Sequence, residues 1–481
     1  MKHTILLPVL ALCIQPLALN AQSGINQNIA RFENSLIGPT HTKGFNGWTL
    51  QERMAHYHVN GLSIAVIRNY KVEWAKGYGW ADKEKQIHVS LQTRFQAGSI
   101  SKSVNALGIL TLVRDSQLDL DTDVNRYLST WNLVPSTAPK VTLAQLLSHT
   151  AGLNVAGFSG YTAGQALPSV QQVLNGEKPA NSPPVRVVEK PGTRFAYSGG
   201  GVTVAQLATM DVTHQPYEQL MDERVLKPLG MVNSTFEQPA FTKQPIARLA
   251  SGYDESGRKF KGGNYHLYPE QAAAGLWSTP TDVAKFIIAV QKAYKSEPNS
   301  IIPQALAVKM LSPYVDKRVG LGVFIDSLQG EPYFEHDGLT YGFRCQYYGS
   351  LKDGNGVVIM TNSVSDGLIP EIVNSVARVY NFKGLYNSIQ EKNTVVSQSV
   401  LQSYVGRYQL APGMIMNIYR QANQLFVQLT GQSSIPVFAE TDRRFYIKIV
   451  NAQLEFIKEN GKVTKVILYQ DGAANAAPRI K

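Results

Sequence analysis

The hydrophobic and polar positions between residues 61 and 79 follow the pattern of a β-hairpin. Residues 61–68 are almost continuously apolar, and residues 72–79 form a second strand-like run. Asn69 and Tyr70 stand between the two runs, where a two-residue turn can join antiparallel strands. The pattern therefore predicts a hairpin near the start of a region that mixes strands and helices.

Strand and helix patterns continue to about residue 382. Residues 356–361 have the composition of a strand, and residues 368–380 follow the helical period. Thr279, with proline and aspartate close behind it, is typical of a helix start. Strands at both ends with helices between them predict an α+β domain over residues 31–382, with an antiparallel sheet flanked by helices and an all-helical insertion.

The pattern changes again toward the C-terminus. Residues 383–398 are polar without a period and are interpreted as a linker. Within residues 399–481, apolar positions alternate with polar ones, as at Leu425 and Val427, and Asn460-Gly461 is a strong hairpin signal. This part of the chain is predicted to be a small antiparallel β-barrel, similar to a lipocalin.

The first 21 residues have the organisation of an export signal. Residues 1–3 are positively charged, residues 4–19 are mostly apolar, and Ala21 suits a cleavage site. The apolar run is interrupted too early to predict a membrane span. Anchoring through Cys13 as a lipoprotein is disfavoured because Leu12, rather than a small residue, precedes it. The mature protein is therefore expected in the periplasm or outside the cell.

Composition excludes several classes of protein. The chain has 481 residues, 44% of them hydrophobic and 17% charged, which does not fit a disordered or coiled-coil protein. The net charge is +11 without an arginine-rich arm, so no nucleic-acid partner is expected. Cys345 alone would remain after signal cleavage and is interpreted as a core residue. His56 and His58 are interpreted as structural, so no metal is expected.

The first chemical motif is Ser99-x-x-Lys102. An apolar stripe at helical spacing follows it, so Ser99 would open a buried helix and Lys102 would share its face. A desolvated lysine can lose its charge and take the proton of a serine hydroxyl. The alternative is a helix-capping serine with a surface lysine. Ser256 and Lys259 have the same spacing, but they stand in a glycine-rich, charged loop.

Two further motifs follow in the chain. Tyr197-Ser-Gly199 begins a run of three glycines that suggests a tight turn, and a tyrosine oxygen near an ammonium can relay protons. His336-Asp-Gly338 is the only His-x-Gly, and its glycine would let a substrate backbone approach a strand edge. Taken singly, the two motifs also fit a core tyrosine beside a flexible turn and a strand-end histidine.

Together, the three motifs resemble the signature of the penicillin-recognising serine hydrolases. This family includes class C β-lactamases, DD-peptidases, D-aminopeptidases and related esterases. The Ser-x-x-Lys motif and the lysine–glycine element belong to a known catalytic signature. The resemblance covers about residues 45–382. It extends to four further stretches, which are 118–124, 146–153, 226–231 and 272–282.

The resemblance implies a role for each motif. Ser99 would be the acylated nucleophile, and Lys102 and Tyr197 would form its proton relay, with the resting base left open between them. The backbone N–H groups of Ser99 and Leu339 would form the oxyanion hole. Water would then release the acyl group without a cofactor.

Two residues depart from the family pattern. Gly199 replaces the usual asparagine, which removes a substrate-binding amide, and His336 replaces the lysine of a true β-lactamase. His-x-Gly, ending at Gly338, is instead similar to D-aminopeptidases and related peptidases and esterases. His336, Gly338 and Gly199 are therefore expected at the substrate site. Arg344 could bind a substrate carboxylate, but pairing within the fold is the favoured interpretation.

The expected function is that of an exported serine peptidase or amidase of the D-aminopeptidase type, which acts on small or D-amino-acid peptides. The alternatives are a carboxylesterase, a class C β-lactamase, and a non-catalytic sensor of β-lactams or peptidoglycan. The expected partners are a small-molecule or peptide substrate, peptidoglycan fragments and a second copy of the chain.

Overall fold

The structure is a computed structural model that describes most of the chain. The described residues are 15–37, 40–42, 47–134, 140–239, 248–260, 263–386, 389–391, 394–432, 434–447, 452–470 and 473–480. The chain forms two compact units. One contains the described residues of 1–33, 50–369 and 376–385, and the other contains those of 34–49, 370–375 and 386–481. Residues 1–14 of the predicted signal, with Cys13, lie outside the described part.

The helices and strands are numbered in chain order. The helices are α1 (Gln15–Glu33), α2 (Leu50–His56), α3 (Ile100–Arg114), α4 (Leu143–Leu147), α5 (Val170–Asn175), α6 (Gly199–Thr213), α7 (Tyr217–Met221), α8 (Gln271–Ala274), α9 (Pro280–Tyr294), α10 (Gln304–Met310), α11 (Leu368–Tyr380) and α12 (Gln398–Tyr404). The strands are β1 (Thr40–Thr42), β2 (Gly61–Arg68), β3 (Lys71–Asp82), β4 (Ile87–His88), β5 (Phe95–Gln96), β6 (Trp277–Ser278), β7 (Phe324–Leu328), β8 (Glu331–Thr340), β9 (Phe343–Ser350), β10 (Gly356–Thr361), β11 (Ile389–Glu391), β12 (Gly406–Ala411), β13 (Met414–Gln421), β14 (Gln424–Leu429), β15 (Ile435–Ala439), β16 (Arg444–Ile447), β17 (Ala452–Glu459), β18 (Lys462–Gln470) and β19 (Ala473–Ile480).

A seven-stranded antiparallel sheet organises the first unit. Its strand order is β4-β3-β2-β10-β9-β8-β7, so the first and last parts of the unit meet at its centre. The predicted hairpin is confirmed, and Asn69 and Tyr70 both have positive φ angles, as a two-residue turn requires. Helix α9 packs on the sheet, and Thr279 is its N-cap, whose hydroxyl accepts the Asp282 N–H. The predicted α+β fold with helices inserted between the strands is confirmed.

Helix α3 is buried along almost its whole length. Every residue from Ile100 to Leu112 is buried, and the leucines and valines of the predicted stripe belong to one large core. The helix contacts α6, α8 and β8. Its first turn is therefore fixed by packing from several directions, which places the Ser-x-x-Lys motif inside the domain.

The second unit contains a closed eight-stranded antiparallel barrel, β12 to β19. Leu425, Val427, Leu454 and Phe456 point into its core, as their alternation predicts. Asn460-Gly461 forms the predicted turn between β17 and β18. The predicted small C-terminal barrel is confirmed. Within the interval expected to be a linker, β11 pairs in parallel with β1.

The three glycines after Tyr197 do not form the predicted tight turn. Gly199, Gly200 and Gly201 are the first turn of α6, and the Ser198 hydroxyl caps the helix by accepting the Gly201 N–H at 3.0 Å. The buried aliphatic residues that follow drive this helix into the core, and that burial outweighs the low helix propensity of glycine.

Helix α1 continues across the predicted cleavage point after Ala21. Among the described helices, none has both the length and the apolar character needed to cross a membrane.

Candidate active site

Ser99 stands at the N-terminal end of α3, but its side chain does not cap the helix. The hydroxyl oxygen instead accepts a hydrogen bond from Lys102 Nζ at 3.0 Å. Lys102 lies one turn further along the same helix face, and only 3% of its surface is exposed. The alternative of a capping serine with a surface lysine is therefore wrong.

Lys102 is held without a carboxylate counter-ion among the described residues. Its Nζ donates a second hydrogen bond, at 2.7 Å, to the backbone carbonyl of Ala273 at the end of the short helix α8. Burial lowers the pKa of Lys102 to about 7, an effect that the charge of Asp337 partly opposes. Much of this amine is consequently neutral at neutral pH and has a lone pair to accept a proton.

Tyr197 is the third member of the cluster with Ser99 and Lys102, and it lies two residues before α6. Its ring lies close to the lysine amine, with Lys102 Nζ 5.1 Å from the ring centroid. Burial raises the pKa of Tyr197 above its ordinary value, although the Ser99 hydroxyl beside the phenol partly offsets this effect. The phenol is therefore protonated at neutral pH and can donate a proton.

The edge of β8 lies directly against the start of α3. A Cβ atom added to Gly338 would overlap the carbonyl oxygen of Ala97 and lie 3.4 Å from the Ser99 nitrogen. A Cβ atom added to Gly98 would lie 2.9 Å from the Leu339 nitrogen. The segments that carry the backbone amides of Ser99 and Leu339 are thus in close contact. Gly338 serves this internal contact, and its role in the approach of a substrate stays a prediction.

His336 is almost fully buried in β8, with 1% of its surface exposed. Its Nδ1 lies 2.6 Å from the carbonyl oxygen of Asp337, so Nδ1 carries the hydrogen, and Nε2 has no partner among the described residues. Burial and the neighbouring Lys102 lower the pKa of His336 to about 4. The imidazole is neutral at pH 7 and offers no permanent cation to a substrate.

An aromatic ring lies beside Gly199, the position where the family pattern has asparagine. A Cβ atom on Gly199 would lie 3.1 Å from the Ala156 carbonyl oxygen and 3.2 Å from the ring of Phe158. A side chain at this position would require the ring to move. Gly199 therefore provides no substrate-binding amide, and it admits Phe158 instead.

An open cleft of about 740 Å³ adjoins the Leu339 amide. One wall is a stack of rings, with Tyr341 3.8 Å from Phe260 and 3.7 Å from His266 between centroids. Arg344, directly across the sheet from Leu339, is half-buried and lines the same cleft. In the described part of the chain its guanidinium makes neither an ion pair nor a hydrogen bond, so the favoured interpretation of pairing within the fold is wrong.

The second Ser-x-x-Lys motif is not a comparable site. Ser256 donates its hydroxyl hydrogen to Asp254, and Lys259 pairs with Asp82 at 3.1 Å and with Glu84 at 3.4 Å. The Ser256 hydroxyl and the Lys259 amine are thus bonded to carboxylates rather than to each other. The context that favoured Ser99 in the sequence thus agrees with the contacts in the structure.

Sequence reasoning did not single out the Ala273 carbonyl or the Phe158 ring. Ala273 lies within the stretch 272–282 that carries part of the family resemblance, so that resemblance was the available signal. No sequence pattern pointed to Phe158, because its position beside the site depends on its contact with Gly199, which is distant in the sequence. His56 ends α2, with its ring 4.8 Å from Tyr57, and no group of metal-binding side chains occurs among the described residues.

The fold and the cluster of serine, lysine and tyrosine define a serine hydrolase of the penicillin-recognising class. The family model for Beta-lactamase matches residues 49–371, and the chain belongs to this family. A second model, described as a domain of unknown function (DUF3471), matches residues 390–479. The prediction of this family is confirmed, and members of the family are serine hydrolases.

Particular relatives are similar at low identity. "Protein flp" of Staphylococcus aureus (strain MW2) is 25% identical over 331 residues, which are 66% of this chain and 62% of that protein. The chain therefore spans less than two thirds of this curated relative. The octameric penicillin-binding protein homologue from Pyrococcus abyssi has a TM-score of 0.62 and 24% identity, over 89% of this chain and 98% of its own. D-amino acid amidase from Ochrobactrum anthropi SV3 has a TM-score of 0.58 and 21% identity, over 76% and 99%.

Proposed function

We propose that this protein is an exported serine peptidase or amidase that cleaves small peptides or amides of D-amino acids through an acyl-enzyme on Ser99. The observation that carries the proposal is the hydrogen bond from a buried, readily deprotonated Lys102 to the Ser99 hydroxyl. A serine hydroxyl becomes a useful nucleophile when a base stands at this distance.

The geometry supports an assignment of the proton steps. Neutral Lys102 accepts the proton of Ser99 as Oγ bonds to the substrate carbonyl carbon, and the amides of Ser99 and Leu339 stabilise the oxyanion. Tyr197 then donates its proton to the leaving nitrogen and recovers one from Lys102. Water hydrolyses the ester by the same groups in reverse. Lys102 is the preferred resting base, because burial raises the pKa of Tyr197.

The third motif favours an amide or peptide over a β-lactam. A β-lactam carries a carboxylate that suits a permanent cation, whereas His336 is neutral and buried. Gly199 also has no side-chain amide to bind a substrate, and Phe158 lies beside it. D-amino acid amidase shares the fold, which makes D-amino-acid amides the first substrates to test.

The test compares initial rates on D-alanine 4-nitroanilide, its L-enantiomer, a chromogenic cephalosporin and 4-nitrophenyl acetate, for wild type and Ser99→Ala. Preferential cleavage of the D-anilide, lost in Ser99→Ala, is the expected result. Rapid cephalosporin turnover would make the protein a β-lactamase, and ester cleavage alone would make it a carboxylesterase. A cephalosporin adduct on Ser99 that persists for hours would indicate a sensor.

Export, assembly and cellular substrate belong to the same proposal. The signal pattern of residues 1–21 supports export, and the octameric relative from Pyrococcus abyssi supports a homo-oligomer. Peptidoglycan fragments are proposed substrates because they contain D-amino acids. Detection of a processed N-terminus at Gln22 and a mass measurement in solution would test the first two points.

A further inference from the structure

We propose that His149 is a positioning residue that holds the Tyr197 side chain in place for proton transfer at Ser99. The inference rests on the proposed role of Tyr197, and it concerns a histidine that does not contact the serine hydroxyl. Its support lies in the hydrogen bonds and ring contacts that join it to the segment around Tyr197.

His149 is hydrogen-bonded to the residue before Tyr197 and to the residue after it. The Ala196 N–H donates to the backbone carbonyl of His149 at 2.8 Å, and the Ser198 N–H donates to its Nδ1 at 3.1 Å. Both residues next to Tyr197 in the chain are therefore hydrogen-bonded to His149. These two hydrogen bonds restrain the backbone that carries the tyrosine side chain.

The imidazole also restrains the phenol ring directly. The centroids of the His149 and Tyr197 rings are 4.3 Å apart, with planes tilted by 37°. His149 is 3% exposed, and Phe195 packs edge-on against it at 6.0 Å. Phe324 lies parallel to the Tyr197 ring at 6.4 Å. These contacts limit the positions available to the phenol oxygen.

The backbone of His149 adopts a conformation that is unfavourable for histidine. Its φ angle is 56°, in the left-handed region that residues with a side chain rarely adopt. Glycine or asparagine would adopt this conformation at lower cost. Strained backbones persist where the surrounding contacts determine them, and here those contacts lead to Tyr197.

The hydrogen bond to Ser198 also defines the tautomer. Nδ1 accepts a hydrogen, so it must be unprotonated and Nε2 must carry the hydrogen of the neutral ring. Burial, together with the neighbouring Lys102 and His336, lowers the pKa of His149 well below its ordinary value, which maintains this state. A protonated ring would lose the hydrogen bond that restrains the Ser198 peptide.

Two substitutions separate the ring from the acceptor. His149→Asn keeps an oxygen near the position of Nδ1 and tolerates the left-handed backbone, whereas His149→Phe keeps a ring and loses the acceptor. His214→Asn is the matched control, because His214 also has a left-handed backbone, with φ of 55°, but is exposed at the end of α6. The readout is the rate of Ser99 labelling by a fluorophosphonate, with kcat and KM on the best substrate.

We expect His149→Phe to lower the labelling rate and kcat by about 10²-fold while KM changes little, because a misplaced proton donor affects the chemical step. His149→Asn should recover at least tenfold of this loss, and His214→Asn should match wild type. In a Tyr197→Phe background, His149→Phe should add less than about a threefold loss, since the two act as a unit. A full additional 10²-fold loss there, or wild-type rates in His149→Phe, would overturn the inference.

The same experiment separates this inference from the substrate proposal. Fluorophosphonate labelling needs an activated serine and no D-amino acid. If wild-type Ser99 is labelled but the D-anilide is not cleaved, the substrate assignment fails and the comparison of His149 variants still decides the inference. If wild-type Ser99 is not labelled, the assignment of Tyr197 fails and this inference fails with it. Should His149→Phe not fold, the rate of His149→Asn in the two Tyr197 backgrounds decides.

Discussion

The hydrolase unit and the C-terminal barrel differ in the kinds of side chain that they bury. Across the described residues, every buried side chain that is polar or charged, tyrosine apart, lies before residue 376. These include Lys102, His149 and His336. The barrel core is aliphatic and aromatic, with Tyr404 stacked on Phe456 at 4.0 Å between centroids.

The difference indicates where function has been placed at the expense of stability. Burying an amine or an imidazole costs free energy unless hydrogen bonds compensate for it. Lys102 has two such bonds, His149 has one, and His336 has an unpartnered Nε2. Among the described barrel residues no lysine or histidine is buried, and two buried tyrosines bond to carbonyl oxygens at 2.8 Å, Tyr404 to Asp442 and Tyr408 to Tyr404.

The largest expected effect is on activity and comes from Ser99→Ala. Loss of the hydroxyl should lower kcat on the best substrate by about 10³-fold or more, because the acyl-enzyme cannot form. The thermal midpoint should remain within a few degrees of wild type, since the Ser99 side chain does not cap α3. Parallel kinetics and thermal unfolding measure both quantities. Retained activity would place the nucleophile elsewhere.

The opposite behaviour is expected from Phe456→Ala in the barrel. Removing this fully buried ring should destabilise the barrel by about 3–5 kcal/mol, because it leaves a cavity beside Tyr404. Urea unfolding, followed by the fluorescence of the barrel tyrosines, measures the change. Val395→Ala, at a position 98% exposed, is the control and should change stability by less than about 0.5 kcal/mol. A loss smaller than 1 kcal/mol would contradict the cavity argument.

The pH dependence of kcat/KM should follow Lys102. Below the lowered pKa of about 7 the amine is protonated, so the rate should rise about tenfold per pH unit and level off above it. Burial also raises the pKa of Glu270 and of Glu335 to about 7. Glu270→Gln and Glu335→Gln should therefore keep the inflection. A profile that is flat from pH 5.5 to 8, or that loses its inflection in either variant, would exclude Lys102 as its source.

The smallest effect expected is a gain in stability from Lys102→Met. At pH 7 the substitution should raise the free energy of unfolding by on the order of 1 kcal/mol, because a buried amine is replaced by an apolar side chain of similar length. The pKa of Lys102 is lower in the folded state than in the unfolded state. The unfolded chain thus binds more protons between about pH 7 and 10, and wild-type stability should rise with pH in that window.

Chemical denaturation at several pH values measures this difference. The Lys102→Met protein should lack the pH-dependent rise while also lacking activity. A variant less stable than wild type would mean that the hydrogen bonds to Ser99 and Ala273 outweigh the cost of burial, which would weaken the contrast between the two units.

Local patterns were sufficient for many elements of the fold. The turn at Asn69-Tyr70, the helix over 368–380 and the Asn460-Gly461 hairpin follow from the period and turn chemistry of a few neighbouring residues. The proximity of Ser99 and Lys102 followed from helix geometry for the same reason. These features depend on short stretches of chain, so the sequence contains their cause.

The parts that were not predicted depend on contacts between distant residues. Ala273 reaches Lys102 across 171 positions, and His149 reaches Ser198 across 49. No period or propensity encodes such pairs. The glycine run after Tyr197 misled for the same reason, because local composition favoured a turn while burial of the residues behind it produced a helix.

The exposed side chain of Leu339 has an evolutionary consequence. The amide of this residue belongs to the backbone and is positioned by the contact of Gly338 with Ala97, whereas 53% of the residue's surface is open to solvent. Mutations at position 339 can reshape the adjoining cleft without removing the amide from its place. Single substitutions at this position can therefore change substrate specificity during evolution while the backbone amide stays in place.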